Sequence, residues 1–401
     1  MKAHPKDWTN LNNALWTYPW DLVDEGIERV LGNVRDVAGC NAVSVASAYH
    51  NFKQLRPHAA AGQKIYIGEG GVVYFRHDPS RYGRISPVAS SILDDTDVFR
   101  ELCDGRDSHQ LDVNAWTVIM HNTRLASTYP DAATRTAHGD PSPHLLCPAH
   151  QDSREFAVAL CADLAHNYDL RIIELEAIGF LGFEHGYHHD KIGAPLGEWG
   201  SYLLGICLCD SCIERAKAEG VDADRVKSLV RAELDGIYHG DADVPPDISK
   251  TDGLAAWERD EPDFARYMKA GENTVASLVD DVADACAGSG TKIVIQGEAW
   301  EQFLSLETMA TIVSNIDGLM VSGYDLTADE AEQLMKRSRE YVGDKELIVG
   351  IQAHYPEIPS SDEWRAKVRA CIENGATGLN FYNYGISTMS QLRGVGAVLG
   401  D

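Results

Sequence analysis

The chain has 401 residues, enough for two ordinary domains or one large barrel with insertions. With 44% hydrophobic and 24% charged residues and no low-complexity tract, it is not a disordered protein. The 61 Asp and Glu outnumber the 35 Lys and Arg to leave a formal charge of -26, a field that repels phosphates and anionic lipid head groups and so argues against a nucleic-acid or membrane-surface partner.

The opening MKAHPKDWTN carries no apolar run of the signal-peptide kind, and no window approaches the roughly 18 apolar residues of a membrane span, so a soluble, cytoplasmic protein is expected. Nine Cys, an odd number, in a reducing compartment argue against a disulfide framework.

In chain order, residues 13–18 form a short apolar run, 21–37 have helical spacing and 42–49 are strand-like, which gives β, α, β. Residues 64–75, KIYIGEGGVVYF, alternate on either side of a Gly pair and predict a hairpin within an insertion over 64–110 that roofs the site. Further strands are predicted at 114–120, 171–176, 292–296, 318–322, 347–352 and 377–382, with helices at 152–166, 222–239, 257–287, 328–342 and 361–374. Omitting the hairpin, eight strands alternate with helices or insertions, so the fold class is α/β and the architecture one (β/α)8 barrel over 1–401, with insertions after strands two and four. The second insertion, 181–248, holds a His-rich loop and a Cys cluster. No GxGxxG follows an early strand and no GxxxxGK[ST] occurs, which removes the main support for nucleotide binding and leaves no organic cofactor expected.

In such a barrel the site forms at the C-terminal ends of the strands. Those ends carry Trp16 and Tyr18, then His50, then His121 and Asn122, then Glu174 and Glu176. Strands five to eight add Glu298 and Trp300, Tyr324 and Asp325, Gln352 and His354, and Tyr382. Acids, amides, imidazoles and aromatic faces are what a sugar cleft needs: polar groups for hydroxyls and flat rings for the apolar face of a pyranose. Glu176 and Glu298, on neighbouring strands, could flank a glycosidic bond as paired carboxyl groups; a buried ion pair supporting the barrel is the plainer alternative for either one. Glu174, two residues before Glu176, shares its face one layer deeper and is expected to orient or support.

GFEHGYHHDK supplies His185, His188 and His189 without an HExxH arrangement. Its glycines favour a loop that contacts substrate through hydrogen bonds, with metal ligation as the alternative. In CLCDSC, Cys207, Cys209 and Cys212 have the spacing to surround one centre, and Cys147 in LLCPAH is the candidate fourth ligand of a structural zinc.

The order CPAHxxxRE, a Glu on strand four, then CLCDSC followed by IERAKAEGVD, resembles the catalytic barrel of the family 42 β-galactosidases and related glycoside hydrolases over roughly residues 140–220. The resemblance implies that Glu176 is the acid/base and that Cys147, Cys207, Cys209 and Cys212 hold zinc. Two positions depart from it: Leu175 stands before Glu176 where that clan has Asn, and strand seven ends in Gln352 and His354 where the clan has its nucleophilic Glu. QGEAW is similar to the strand-five motif of α-amylase-type barrels, which implies Glu176 as nucleophile, Glu298 as acid/base and Asp325 or His354 in support. With HGYHHDK included, the pattern resembles the poorly characterised glycosyl-hydrolase-like barrels. The expected function is hydrolysis of an O-glycosidic bond in a small saccharide or glycoside. The alternatives are a metal-dependent lyase, isomerase or hydrolase using His185, His188 and His189, and a non-catalytic sugar-binding barrel; self-association into a homo-oligomer stays open.

Overall fold

A computed structural model describes residues 11–59, 62–94, 96–185, 189–240, 248–297 and 303–400. Its central sheet is a closed barrel of eight parallel strands. They are β1 (Asn12–Thr17), β2 (Ala42–Tyr49), β3 (Asp112–Val118), β4 (Ile172–Glu176), β5 (Lys292–Gln296), β6 (Gly318–Ser322), β7 (Glu346–Gln352) and β8 (Gly378–Tyr382). Closure runs through β1, whose Leu15 pairs with Phe381 of β8 on one side and Val43 of β2 on the other. The strands read as near-continuous apolar runs because both faces are covered, by helices outside and by side chains within.

Alternation along each strand separates two environments. Leu15, Val43, Ile173, Ile293, Leu319 and Leu347 belong to the core between strands and helices. Their neighbours Trp16, Trp116, Ile172, Val294, Met320 and Ile348 belong to the core that fills the lumen. Glu174 and Glu176 share the parity of Ile172, so β4 points both carboxyl groups into the lumen.

The helices Asp362–Glu373 and Ala328–Val342 lie where the spacing predicts. The stretch 257–287 is not one helix: Lys250–Asp260 and Pro262–Cys286 are separate, broken at Glu261. Pro262 has no N–H to continue a helix and drives the residue before it out of the α region, so Glu261 sits at φ -126°, ψ 75°. Nor do residues 64–75 form a hairpin with themselves. Ile65–Ile67 pairs with Lys53–Leu55, and Val72–Val73 pairs antiparallel with Ala48 and Tyr49 at the end of β2. Gly68 lies against the preceding loop, where a Cβ would stand 1.7 Å from the Phe52 ring, and Gly70 and Gly71 turn the chain toward the end of β2, Gly71 at φ 66°.

After β4 come the helices Gly197–Gly205, Asp210–Ala218 and Ala223–His239, which enclose a second core around Trp199, Leu203, Val230 and Phe264. The sequence reading missed a two-stranded ribbon between β3 and β4, Ala133–Arg135 against Pro141–Leu146. No described helix is long and apolar enough to cross a membrane.

Gly318 opens β6 where a Cβ would stand 2.4 Å from the Glu346 carbonyl oxygen. Gly318→Ala must push β6 from β7, and a loss of about 1–3 kcal/mol is expected in urea unfolding, the usual cost of overpacking.

Candidate active site

Below the mouth, one pleat down β4 from Glu176, lies Glu174, fully buried. Trp16 Nε1 of β1 donates to its Oε2 at 2.8 Å, while Ser44 Oγ of β2 and Asn380 Nδ2 of β8 donate to its Oε1 at 2.7 and 2.8 Å. Burial raises the pKa of this carboxyl group, and the three donors act against the rise by favouring the anion.

Glu176 sits one pleat nearer the mouth, half-buried, in register with Val118 of β3. The Trp116 indole N–H donates to its Oε2. Burial pushes its pKa from 4.5 to about 7; the Trp116 hydrogen bond opposes the shift and the Glu174 charge adds to it. Around it stands an aromatic shell. Trp116 lies 5.7 Å from Trp16, 4.8 Å from Tyr49 and 6.0 Å from Tyr382. The Tyr18 hydroxyl is 3.1 Å from that of Tyr49 and 2.9 Å from that of Tyr382, and the Tyr324 ring is 6.0 Å from Tyr382. Burial raises all four phenol pKa values above the ordinary 10, so these hydroxyls are neutral hydrogen-bonding groups.

On the β2–β4 side the wall is imidazole. His50 stacks on His121 at 4.4 Å, and His121 Nδ1 lies 2.9 Å from His185 Nε2. His144, on the ribbon, packs 5.6 Å from His121 and places Nε2 3.2 Å from the His185 carbonyl oxygen. Burial, with the neighbouring imidazoles adding to it, lowers the pKa of His121 to about 2 and of His185 to about 4, so both are uncharged at neutral pH.

The structure thus gathers Trp16, Tyr18, His50, His121, Glu174, Glu176, His185, Tyr324 and Tyr382. Gln352 and His354 close the β7 side: Gln352 Nε2 donates to the Tyr355 carbonyl at 3.3 Å, and the His354 ring lies 5.8 Å from Tyr382. Asn122 is buried, and its Oδ1 caps the helix Thr123–Thr128 by accepting from Leu125 N at 2.9 Å. Asp325 is exposed at the rim with a left-handed backbone (φ 54°), and His189 is exposed on its loop. Glu298, Trp300 and His188 lie outside the described residues.

Sequence reasoning did not select Trp116, Ser44 or His144. Trp116 was legible in principle, since parity with Val118 puts it on the lumen face. His144 had no comparable signal, because its position depends on a ribbon found only by long-range pairing.

Away from the mouth, Cys147, Cys207, Cys209 and Cys212 are all buried, and their sulfur atoms lie within 4.8 Å of one another. The Cys147 sulfur is 3.5 Å from those of Cys209 and Cys212 and 3.8 Å from that of Cys207. These spacings exclude disulfides, whose sulfurs sit about 2.05 Å apart. They suit an ion with sulfur ligands at about 2.3 Å, for which tetrahedral geometry puts the sulfurs about 3.8 Å apart. The quartet could hold a metal ion.

No protein-family model and no curated protein matches the chain. Solved structures match its fold at low identity. The glycoside hydrolase domain of PgaB (BpsB) from Bordetella bronchiseptica is 14% identical, with a TM-score of 0.61 over 97% of this chain and 99% of that one. A β-galactosidase from the psychrophilic Marinomonas ef1 is 10% identical, with a TM-score of 0.60 over 97% of this chain and 59% of that one. The β-amylase catalytic domain from Paenibacillus polymyxa is 10% identical, with a TM-score of 0.55 over 97% of each. The chain shares the (β/α)8 barrel fold of these proteins.

A carboxyl group whose pKa is raised on folding binds its proton more tightly in the native state, so its contribution is complete below the unfolded pKa and lost as pH rises through the folded one. For Glu176 that window runs from 4.5 to about 7. Urea unfolding across this range should show stability falling with pH, and Glu176→Gln should flatten the fall. Part of the slope will survive, because burial also raises Asp21 to about 7; an unchanged slope would show that Glu176 titrates normally.

Proposed function

We propose that the protein is a glycoside hydrolase that cleaves an O-glycosidic bond in a small saccharide or glycoside, with Glu176 and Glu298 as its paired carboxyl groups. The observation that carries this reading is Glu176 itself, a lumen-facing carboxyl group at the C-terminal mouth that accepts the Trp116 indole N–H and whose pKa burial pushes up to about 7. Such a group is protonated for a useful fraction of the time near neutral pH, which a general acid requires. In this reading Glu176 gives its proton to the glycosidic oxygen as the C–O bond breaks. Glu298, two residues further along the sequence than the end of β5, attacks the anomeric carbon or activates the water that adds to it. Tyr324 and Tyr382, which stay partly exposed over the buried Trp16, Tyr18, Tyr49 and Trp116, offer faces to the sugar ring, and the His50, His121 and His185 polar atoms meet its hydroxyls. The fold neighbours include proteins named for action on glycosides, which supports a carbohydrate substrate.

We assign the cysteine quartet to zinc in a structural role: four thiolates close a tetrahedral shell and leave no position for substrate or water. Among the described residues no other group of three or more His, Cys, Asp or Glu side chains gathers closely enough to share an ion. The metal-dependent alternative centred on His185, His188 and His189 therefore draws no support from the geometry of His185, whose Nε2 meets His121.

Elemental analysis is expected to give one zinc per chain, and Cys209→Ser should lower metal content and thermal stability together, because thiolate–zinc binding energy is also folding energy. A metal-free, fully stable preparation would overturn the assignment.

Glu176→Gln and Glu298→Gln should each reduce turnover by about 100-fold or more while leaving the unfolding midpoint near the parent's at pH 5. A bell-shaped pH–rate profile that loses one limb in each variant assigns the pair. If Glu298→Gln keeps full activity, Asp325, whose charge acts on His354, becomes the partner to test.

A further inference from the structure

Behind the imidazole wall lies a second space, a cavity of about 450 Å³ bounded by the ribbon, the loop after β4 and the helix Gly197–Gly205. That volume is within the roughly 300–1,000 Å³ of small-molecule pockets. We propose that this cavity is an accessory carbohydrate subsite that holds an uncharged sugar residue of the substrate remote from the bond cleaved at Glu176. The inference rests on the glycosidase reading and adds a second place where the glycan is gripped.

The lining has the chemistry of a neutral sugar. Phe183 and Tyr238 border it and are 37% and 38% exposed, so two aromatic surfaces face solvent where a pyranose could lie against them. Asp140 and Asp190 supply carboxylate acceptors and Ser142 a hydroxyl, the groups that bind sugar hydroxyls. An anionic ligand is disfavoured. Arg135, the cation of the lining, directs Nη1 to the Gly139 carbonyl at 2.9 Å and Nη2 to the Pro130 carbonyl at 2.8 Å, while the two aspartates leave the local field negative.

The cavity also shares a wall with the candidate active site. His144 lines it and packs against His121, which follows β3 three residues after Val118, the register partner of Glu176. Because a carbonyl oxygen can only accept, the contact of His144 Nε2 with the His185 carbonyl puts the proton on Nε2, and Nδ1 accepts from Ser142 Oγ at 3.3 Å. His144 thus stands between the two spaces as a neutral imidazole hydrogen-bonded at both ring nitrogens.

The test is calorimetric titration of Glu176→Gln protein with cellotetraose, maltotetraose, chitotetraose and β-1,4-galactotetraose, each beside its disaccharide. At least one tetrasaccharide should bind about tenfold more tightly than its disaccharide, and Tyr238→Ala or Phe183→Ala in the same background should remove that advantage while leaving disaccharide affinity in place. Both side chains reach solvent, and unfolding midpoints near the parent's confirm that the variants fold. Tetrasaccharide binding that is undiminished in both variants, or binding by none of the four, overturns the subsite. The glycosidase reading fails separately, on turnover that survives Glu176→Gln.

Discussion

A hydrogen-bond-accepting carboxyl group with no exposure to solvent, Glu174, sets the geometry of the lumen. Its three donors come from β1, β2 and β8, across the barrel from β4. Each hydrogen bond to a charged group contributes about 1.5–3 kcal/mol, and a donor left unpaired there is costly, so the side chains that reach Glu174 have little freedom. Trp16 is one of them. Its ring packs against β7 at Gly350, where a Cβ would stand 3.0 Å from the indole. The fixed Trp16 in turn supports Trp116 and Tyr382, each 5.7 Å away, and Trp116 holds Glu176. The orientation of the proposed acid is thus inherited from a carboxylate one layer below it.

The cysteine quartet does similar work where the second core meets the barrel. Cys147 follows the ribbon strand Pro141–Leu146, Cys207 and Cys209 lie between the helices Gly197–Gly205 and Asp210–Ala218, and Cys212 sits in the first turn of the latter. Arg135 N donates to the Cys207 sulfur at 3.4 Å, and Leu208 N donates to the Arg135 carbonyl at 2.7 Å, so ribbon and insertion are stitched together beside the sulfurs. His144 stands three residues before Cys147. The place of the imidazole wall therefore depends on the same junction, which is why a cluster remote from Glu176 bears on the shape of the mouth.

All eight barrel strands were legible in the sequence because each is a short apolar run whose pattern is local. The lumen-facing parity of Glu174 and Glu176 followed from spacing alone. What the sequence hid depends on distant partners. Val72–Val73 looks like half of a hairpin with Ile65–Ile67, yet it gains more by pairing with the end of β2, and local alternation is the same in either arrangement. Asn122, read as a substrate ligand from its place after β3, is engaged as a helix cap, a role announced by the Thr and Leu that follow only once the helix is known. Cysteine spacing carried further than any other motif, since three thiols in six residues constrain their own geometry.

The formal charge of -26 and the poise of Glu176 act over different distances. Exposed carboxylates are screened beyond a Debye length of about 8 Å at physiological ionic strength. The influences on Glu176 are its burial, the Trp116 N–H and the Glu174 charge, all within the lumen. The phenols and imidazoles around it are neutral, so the acidic exterior surrounds a mouth lined by uncharged donors and acceptors. A substrate with no charge of its own loses nothing on approaching such a surface, and its hydroxyls find partners that need not change protonation to receive it. An anionic ligand would pay the repulsion outside and meet no protonated imidazole within, which is the physical reason a neutral glycan suits this chain better than a phosphorylated or carboxylated one.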